Sequence, residues 1–152
     1  QASLAFAVLG ILTVVAFMDI DTLEIYDRFP ALLLVCGAAA QFVFPGPGLK
    51  SRLLGCVIVS LPMLLLALVV PGGFGGGDIK LMAGAGFFLG ARLTVVAAFL
   101  GILLGGGFGA LLLAAKKADR KTRFAFGPFL CIGIAAAMFF GERIADWYIG
   151  LL

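Results

Sequence analysis

Apolar residues in this chain come in runs rather than in alternation. Six stretches are almost unbroken, at about 3–18, 31–44, 53–70, 81–90, 93–115 and 126–140, with polar residues gathered between them. Long apolar runs without a two-residue period predict helices in an apolar medium rather than strands with one wet face. The breaks carry ordinary stop signals. Asp19 stops the first run, Pro45-Gly46-Pro47-Gly48 ends the second, and Pro71 ends the third. A glycine-rich stretch, Gly72-Gly73-Phe74-Gly75-Gly76-Gly77, then leads through Asp78-Ile79-Lys80 into the fourth run. This run is the shortest, and its helix is expected to reach back through Ile79 and over Asp78. A polar segment, 116–123, precedes the sixth run, and a mixed tail fills 141–152. Several runs fall short of the roughly 20 residues that cross a bilayer core. Those helices either extend into the interface or stop at membrane depth beside a water-filled cavity.

Composition turns this pattern into a membrane assignment. Hydrophobic residues make up 63% of the 152-residue chain and charged residues 12%, and mean hydropathy is +1.21. Soluble domains carry about twice that charged fraction, and one this small has too much surface to hide so much apolar area. The expected fold is an all-α integral membrane protein, a bundle of about six transmembrane helices, some short. Residues 1–152 would form a single domain with the lipid bilayer as its main partner. The chain begins on Gln rather than Met, so a processed or trimmed start is expected. The first run lacks a basic flank and reads as a membrane helix, not a signal peptide.

Net charge, +3, bears on topology more than on partners, and no nucleic acid is expected to bind. With six spans, the first, third and fifth loops hold Arg28, Lys80, Lys116, Lys117, Arg120, Lys121 and Arg123. The other side holds Lys50, Arg52, Arg92 and Arg143. The excess places the first set in the cytoplasm and both termini outside. Trp147 and Tyr148 are expected to anchor the outer interface. Gly101, Gly105 and Gly109 form a small-residue ridge suited to close helix packing.

The chain has no His. That excludes His-based zinc sites and Ser–His or Cys–His catalysis, and with them serine and zinc intramembrane proteases. Cys36, Cys56 and Cys131 are far apart within apolar runs, form no CxxC, and read as buried small hydrophobes. No metal and no cofactor are expected.

The carboxylates are the remaining chemistry. Asp19, Asp21, Glu24 and Asp27 fall in or beside the first loop, and Asp78 opens the fourth run. Asp119, Glu142 and Asp146 lie among basic neighbours and read as solvated charge. Asp19 and Asp78 each abut an apolar run on the same expected face, where an ionisable group is costly unless paired or wet. Two facing carboxyls can share one proton, leaving one as base and one as acid. The base would take a proton from water, and the acid would protonate the peptide carbonyl oxygen and later the leaving amine. The glycines before Asp78 would admit a substrate backbone closely and pair with it by strand addition. A structural reading stands beside this one: Asp78 as a helix N-cap, and Asp19 and Asp21 as interfacial charges.

These residues also carry a family resemblance. Gly75-Gly76-Gly77-Asp78-Ile79-Lys80-Leu81 resembles the GxGD motif of type IV prepilin peptidases. Met18-Asp19-Ile20-Asp21-Thr22-Leu23-Glu24-Ile25-Tyr26-Asp27 resembles the family's other aspartate motif. Phe126-Gly127-Pro128-Phe129-Leu130 resembles its late FGP motif. The resemblance implies an aspartyl endopeptidase of the bacterial inner membrane. Such an enzyme, with its site facing the cytoplasm, removes the basic leader of type IV prepilins or type II secretion pseudopilins. Asp19 and Asp78 become the catalytic pair, with Asp21, Asp27, Gly75, Gly77 and Lys80 in substrate-binding or supporting roles. Lys80 would pair with a nearby acid or snorkel to the interface, and the acids of the first loop would attract a basic leader. Tyr26 departs from the family, which usually has Pro there. Nothing here resembles the cytoplasmic segment with paired cysteines that many members carry upstream. Either this is a small peptidase-only member or that segment was removed, and methyltransferase activity is not expected of this chain. The alternative function is a small proton- or cation-coupled channel or transporter built on the membrane-edge aspartates. That reading favours acids at the midplane.

Overall fold

The computed structural model describes residues 2–43, 46–70, 74–115 and 124–151. All regular structure among them is helical. The order is α1 Ala2–Thr22, α2 Arg28–Val43, α3 Leu49–Ile58, α4 Ser60–Val69, α5 Gly76–Leu89, α6 Ala91–Ala114 and α7 Gly127–Leu151. Four stretches are long and apolar enough to cross a membrane: α1, the continuous rod Leu49–Val69 made of α3 and α4, α6 and α7. The outer surface is apolar, with side chains such as Phe6, Phe42, Leu68, Phe99 and Leu111 exposed. This is the inverse of a soluble protein and suits lipid as the surrounding medium. The chain is a multi-pass membrane protein with six helical segments, as the apolar runs predict.

Three boundaries differ from the sequence expectation. The third run is split at Val59 into α3 and α4. Pro62 explains the break, because it has no N–H for the Ile58 carbonyl and its ring crowds that turn. The first helix does not stop at Asp19 but continues to Thr22. Its end is closed by Leu23, whose N–H reaches the Asp19 carbonyl at 2.9 Å from a left-handed φ of 55°. The helix of the fourth run, α5, reaches back over Asp78 as expected and starts at Gly76. The last helix does not end near Phe140 but runs through the mixed tail to Leu151, carrying Trp147 and Tyr148 exposed on its outer turns. Glu142 and Asp146 on that extension are not free solvated charges. They grip Arg92 at the start of α6, at 3.1 and 2.6 Å. The polar segment 116–123, with Asp119 and most of the expected cytoplasmic Lys and Arg, lies outside the described residues.

The core gathers around α5, which packs against α2, α3, α4, α6 and α7. Leu81, Met82, Ala85 and Leu89 are fully buried along it. Glycine makes the tightest of these crossings possible. Gly55 of α3 and Gly86 of α5 lie backbone to backbone, each filling the place the other's Cβ would take. The glycine ridge of α6 packs as expected: Gly101 meets Leu130 of α7, Gly105 the Phe126 ring and Gly109 the Phe124 ring.

Arg52, expected in an outer loop, is instead sealed inside α3. It donates to the carbonyls of Pro47, Gly37, Phe87 and Phe88 at 2.8–3.3 Å. Phe87 and Phe88 close α5, so the guanidinium sits at the negative end of that helix and satisfies carbonyls that have no partner along it.

Candidate active site

Asp78 stands in the first turn of α5, whose N-cap is Gly75. It is therefore the third helical residue, not the cap. Its carboxyl lies close to Gly75, where a Cβ would come 3.4 Å from Oδ2. The residue is 8% exposed. Among the described residues its Oδ1 is buried without a hydrogen-bond partner, a rare condition for a carboxyl oxygen.

Asp19 comes from the last turn of α1 and is 6% exposed. Its Oδ2 accepts the Gly127 N–H at 2.8 Å. Gly127 opens α7, so the carboxylate meets the positive end of that helix. The glycine is required by space: a Cβ there would lie 2.6 Å from Asp19 Oδ2. The FGP segment thus holds the first aspartate across 108 residues of sequence, a role that the motif's position alone did not disclose. Pro128 follows in the first turn of α7, where a missing N–H is harmless.

Asp19 and Asp78, 59 positions apart in sequence, line one cleft of about 200 Å³ together with Leu23, Glu24, Ile25, Tyr26, Gly75 and Gly77. The two other candidate acids stand apart. Asp21 is exposed on the far side of α1, beside Thr13, Val14, Phe17 and Met18. Asp27 lies at the start of α2 and bonds Lys80 Nζ at 2.7 Å, both side chains well exposed. Lys80 therefore ties α5 to the loop that forms one wall of the cleft, and its partner is an acid, as one of the two expectations had it.

The glycines divide their work. Gly77 faces its own chain, since a Cβ there would sit 2.7 Å from Ile25 Cβ. It brings the α1–α2 loop against α5 rather than leaving room for another strand. Gly76 and Gly77 are helical, and Gly75 alone of the three is extended, with φ −71° and ψ 144°. Strand addition over the whole glycine stretch is therefore not available. Among the described residues no group of His, Cys, Asp and Glu is arranged to hold a metal ion. What the cleft offers is a pair of buried carboxyls, one of them held by a backbone amide, beside a loop edge. That is the equipment for general acid–base chemistry.

Comparison with known proteins gives the same reading from sequence. The type IV leader peptidase family profile matches residues 6–110. A prepilin leader peptidase/N-methyltransferase of Bacillus subtilis (strain 168) is 32% identical over 145 residues, covering 95% of this chain and 58% of that protein. The protein of the same name from Legionella pneumophila is 31% identical over 158 residues, covering 99% and 54%. That from Aeromonas hydrophila is 28% identical over 144 residues, covering 91% and 50%. The chain thus spans about half the length of these relatives. No solved structure matches it. The extent of the profile match and the relatives' identity over nearly the whole chain show that this protein belongs to the type IV leader peptidase family.

Proposed function

We propose that the chain is an aspartyl endopeptidase that cleaves the leader from type IV prepilins or type II secretion pseudopilins at the cytoplasmic face of a bacterial inner membrane. One observation carries the proposal: Asp19 and Asp78, from separate motifs, are the two buried carboxyls of a single cleft. In this reading one carboxylate takes a proton from the attacking water. The other protonates the scissile carbonyl oxygen and then the leaving amine. The Gly127 amide holds Asp19 Oδ2 in place for that chemistry. The unpartnered Oδ1 of Asp78 suits a carboxyl that shares a proton.

Exposed Glu24 adds negative charge at the cleft, which suits a basic leader and would be screened by salt. The excess of Lys and Arg on the loops of that face supports its cytoplasmic orientation. The test is cleavage of a leader-bearing prepilin by purified wild type and by variants carrying Asn singly at positions 19, 21, 27 and 78. Asp19→Asn and Asp78→Asn abolish cleavage, while Asp21→Asn and Asp27→Asn retain it. Full activity in folded Asp78→Asn overturns the proposal. Loss confined to Asp21→Asn within the first motif overturns the role of Asp19.

A further inference from the structure

Each cleft carboxyl lies against a glycine that directly follows a phenylalanine. Gly127, whose N–H donates to Asp19, follows Phe126, and Gly75, where a Cβ would lie 3.4 Å from Asp78 Oδ2, follows Phe74. The two rings meet edge to face, with centroids 5.6 Å apart and planes at 67°, the arrangement that ring quadrupoles favour. Phe126 has a fixed seat. Its ring lies in the notch left by Gly105 of α6, where a Cβ would come within 2.8 Å of Cδ2. Both rings pack against the buried core.

A path of neighbours runs from Asp19 through the Gly127 amide, Phe126, Phe74 and Gly75 to Asp78. α5 is held on several sides, and the ring contact is one link between its start and that of α7. α1 packs along α7, so Asp19 is registered to the start of α7. Asp78 belongs to the start of α5, which is reached through the non-helical residues Phe74 and Gly75. The ring contact joins those two starts at the level of the carboxyls.

We propose that the Phe74–Phe126 ring pair, seated on Gly105, is the positioning element that sets the separation of Asp19 and Asp78. The rings touch neither carboxyl in this scheme and act through the two glycines that follow them. The activity arm of the test rests on the peptidase reading above, and a second arm does not.

In the activity arm, prepilin cleavage is measured for Phe74→Leu, Phe126→Leu and the double variant. Each single variant lowers kcat by about 10- to 100-fold, the cost of a small misplacement of reacting groups, with KM nearly unchanged. The double variant is no worse than the poorer single one, and Phe74→Tyr, which keeps the edge-to-face contact, restores kcat. In the second arm, exchange of the Gly127 amide is followed by NMR on protein labelled with ¹⁵N-glycine in detergent. Phe74→Leu, although on a different segment, speeds that exchange about tenfold, as loss of one aromatic pair allows, while Gly133 in the same helix keeps its rate. The proposal is overturned if losses of kcat add in the double variant, if KM alone rises, or if Gly127 exchange is unchanged in folded Phe74→Leu. Should wild type fail to cleave, the peptidase reading falls and the exchange arm alone decides the positioning role.

Discussion

At the end of α5, a buried guanidinium is bonded to four backbone carbonyls. At its start, a buried carboxyl keeps an oxygen without a partner among the described residues. Both groups are ionisable, both are withdrawn from solvent, and both belong to the packing of one helix. Burying a charge costs several kcal/mol unless hydrogen bonds replace its water. Arg52 has that replacement and binds α2, α3 and α5 together. Asp78 has it only in part, and its neighbour is another acid. A buried polar group that is fully engaged holds a structure, whereas one left partly engaged beside a cleft is kept for something else to engage.

Four substitutions would break or sharpen this contrast. The largest effect is expected from Asp78→Asn, which removes an acid–base group worth about 10²- to 10⁴-fold in rate. Its thermal unfolding in detergent should be no lower than wild type, because a neutral amide relieves the crowding of two acids. A variant both inactive and strongly destabilised would make Asp78 as structural as Arg52. Next comes Gly127→Ala, whose methyl would displace the Asp19 carboxylate. A shift of about 1 Å costs about 10²-fold, seen as a fall in kcat with the fold intact by circular dichroism. Arg52→Met is expected to act the other way. It leaves several carbonyls of α2 and α5 unsatisfied and lowers stability by about 2–3 kcal/mol, while activity per folded molecule is retained. Equal loss of activity would mean that the far end of α5 also governs the cleft. The smallest effect belongs to Lys80→Met. Its ion pair with Asp27 is exposed, so stability should change by less than about 1 kcal/mol, and the difference from wild type should vanish in high salt.

Much of this was legible in the chain, for reasons that also mark the limits. Apolar runs located the six helical segments because lipid asks only that helices be apolar outside. Asp19 and Asp78 stood out because a carboxyl beside an apolar run needs a reason to be there. What the sequence could not disclose depends on partners distant along the chain. Arg52 looked like a loop cation until its carbonyl partners, 35 and 36 positions away, closed around it. Residues 141–151 looked like a tail because Glu142 and Asp146 find Arg92 only across two helices. Asp19 and Asp21 were inseparable by spacing, and the turn of α1 that carries both settles which one faces inward. Gly77 looked ready for a substrate strand, but Ile25 of the same chain already occupies that side.

The short reach of α5 has a consequence for the backbone beside it. At ~1.5 Å per residue α5 is only ~21 Å long, less than a hydrocarbon layer of ~30 Å. Its side chains turn toward other helices rather than toward lipid, so the shortfall is met within the protein. Non-helical backbone such as Phe74 and Gly75 is tolerated there because protein and a water-filled cleft, not hydrocarbon, surround it.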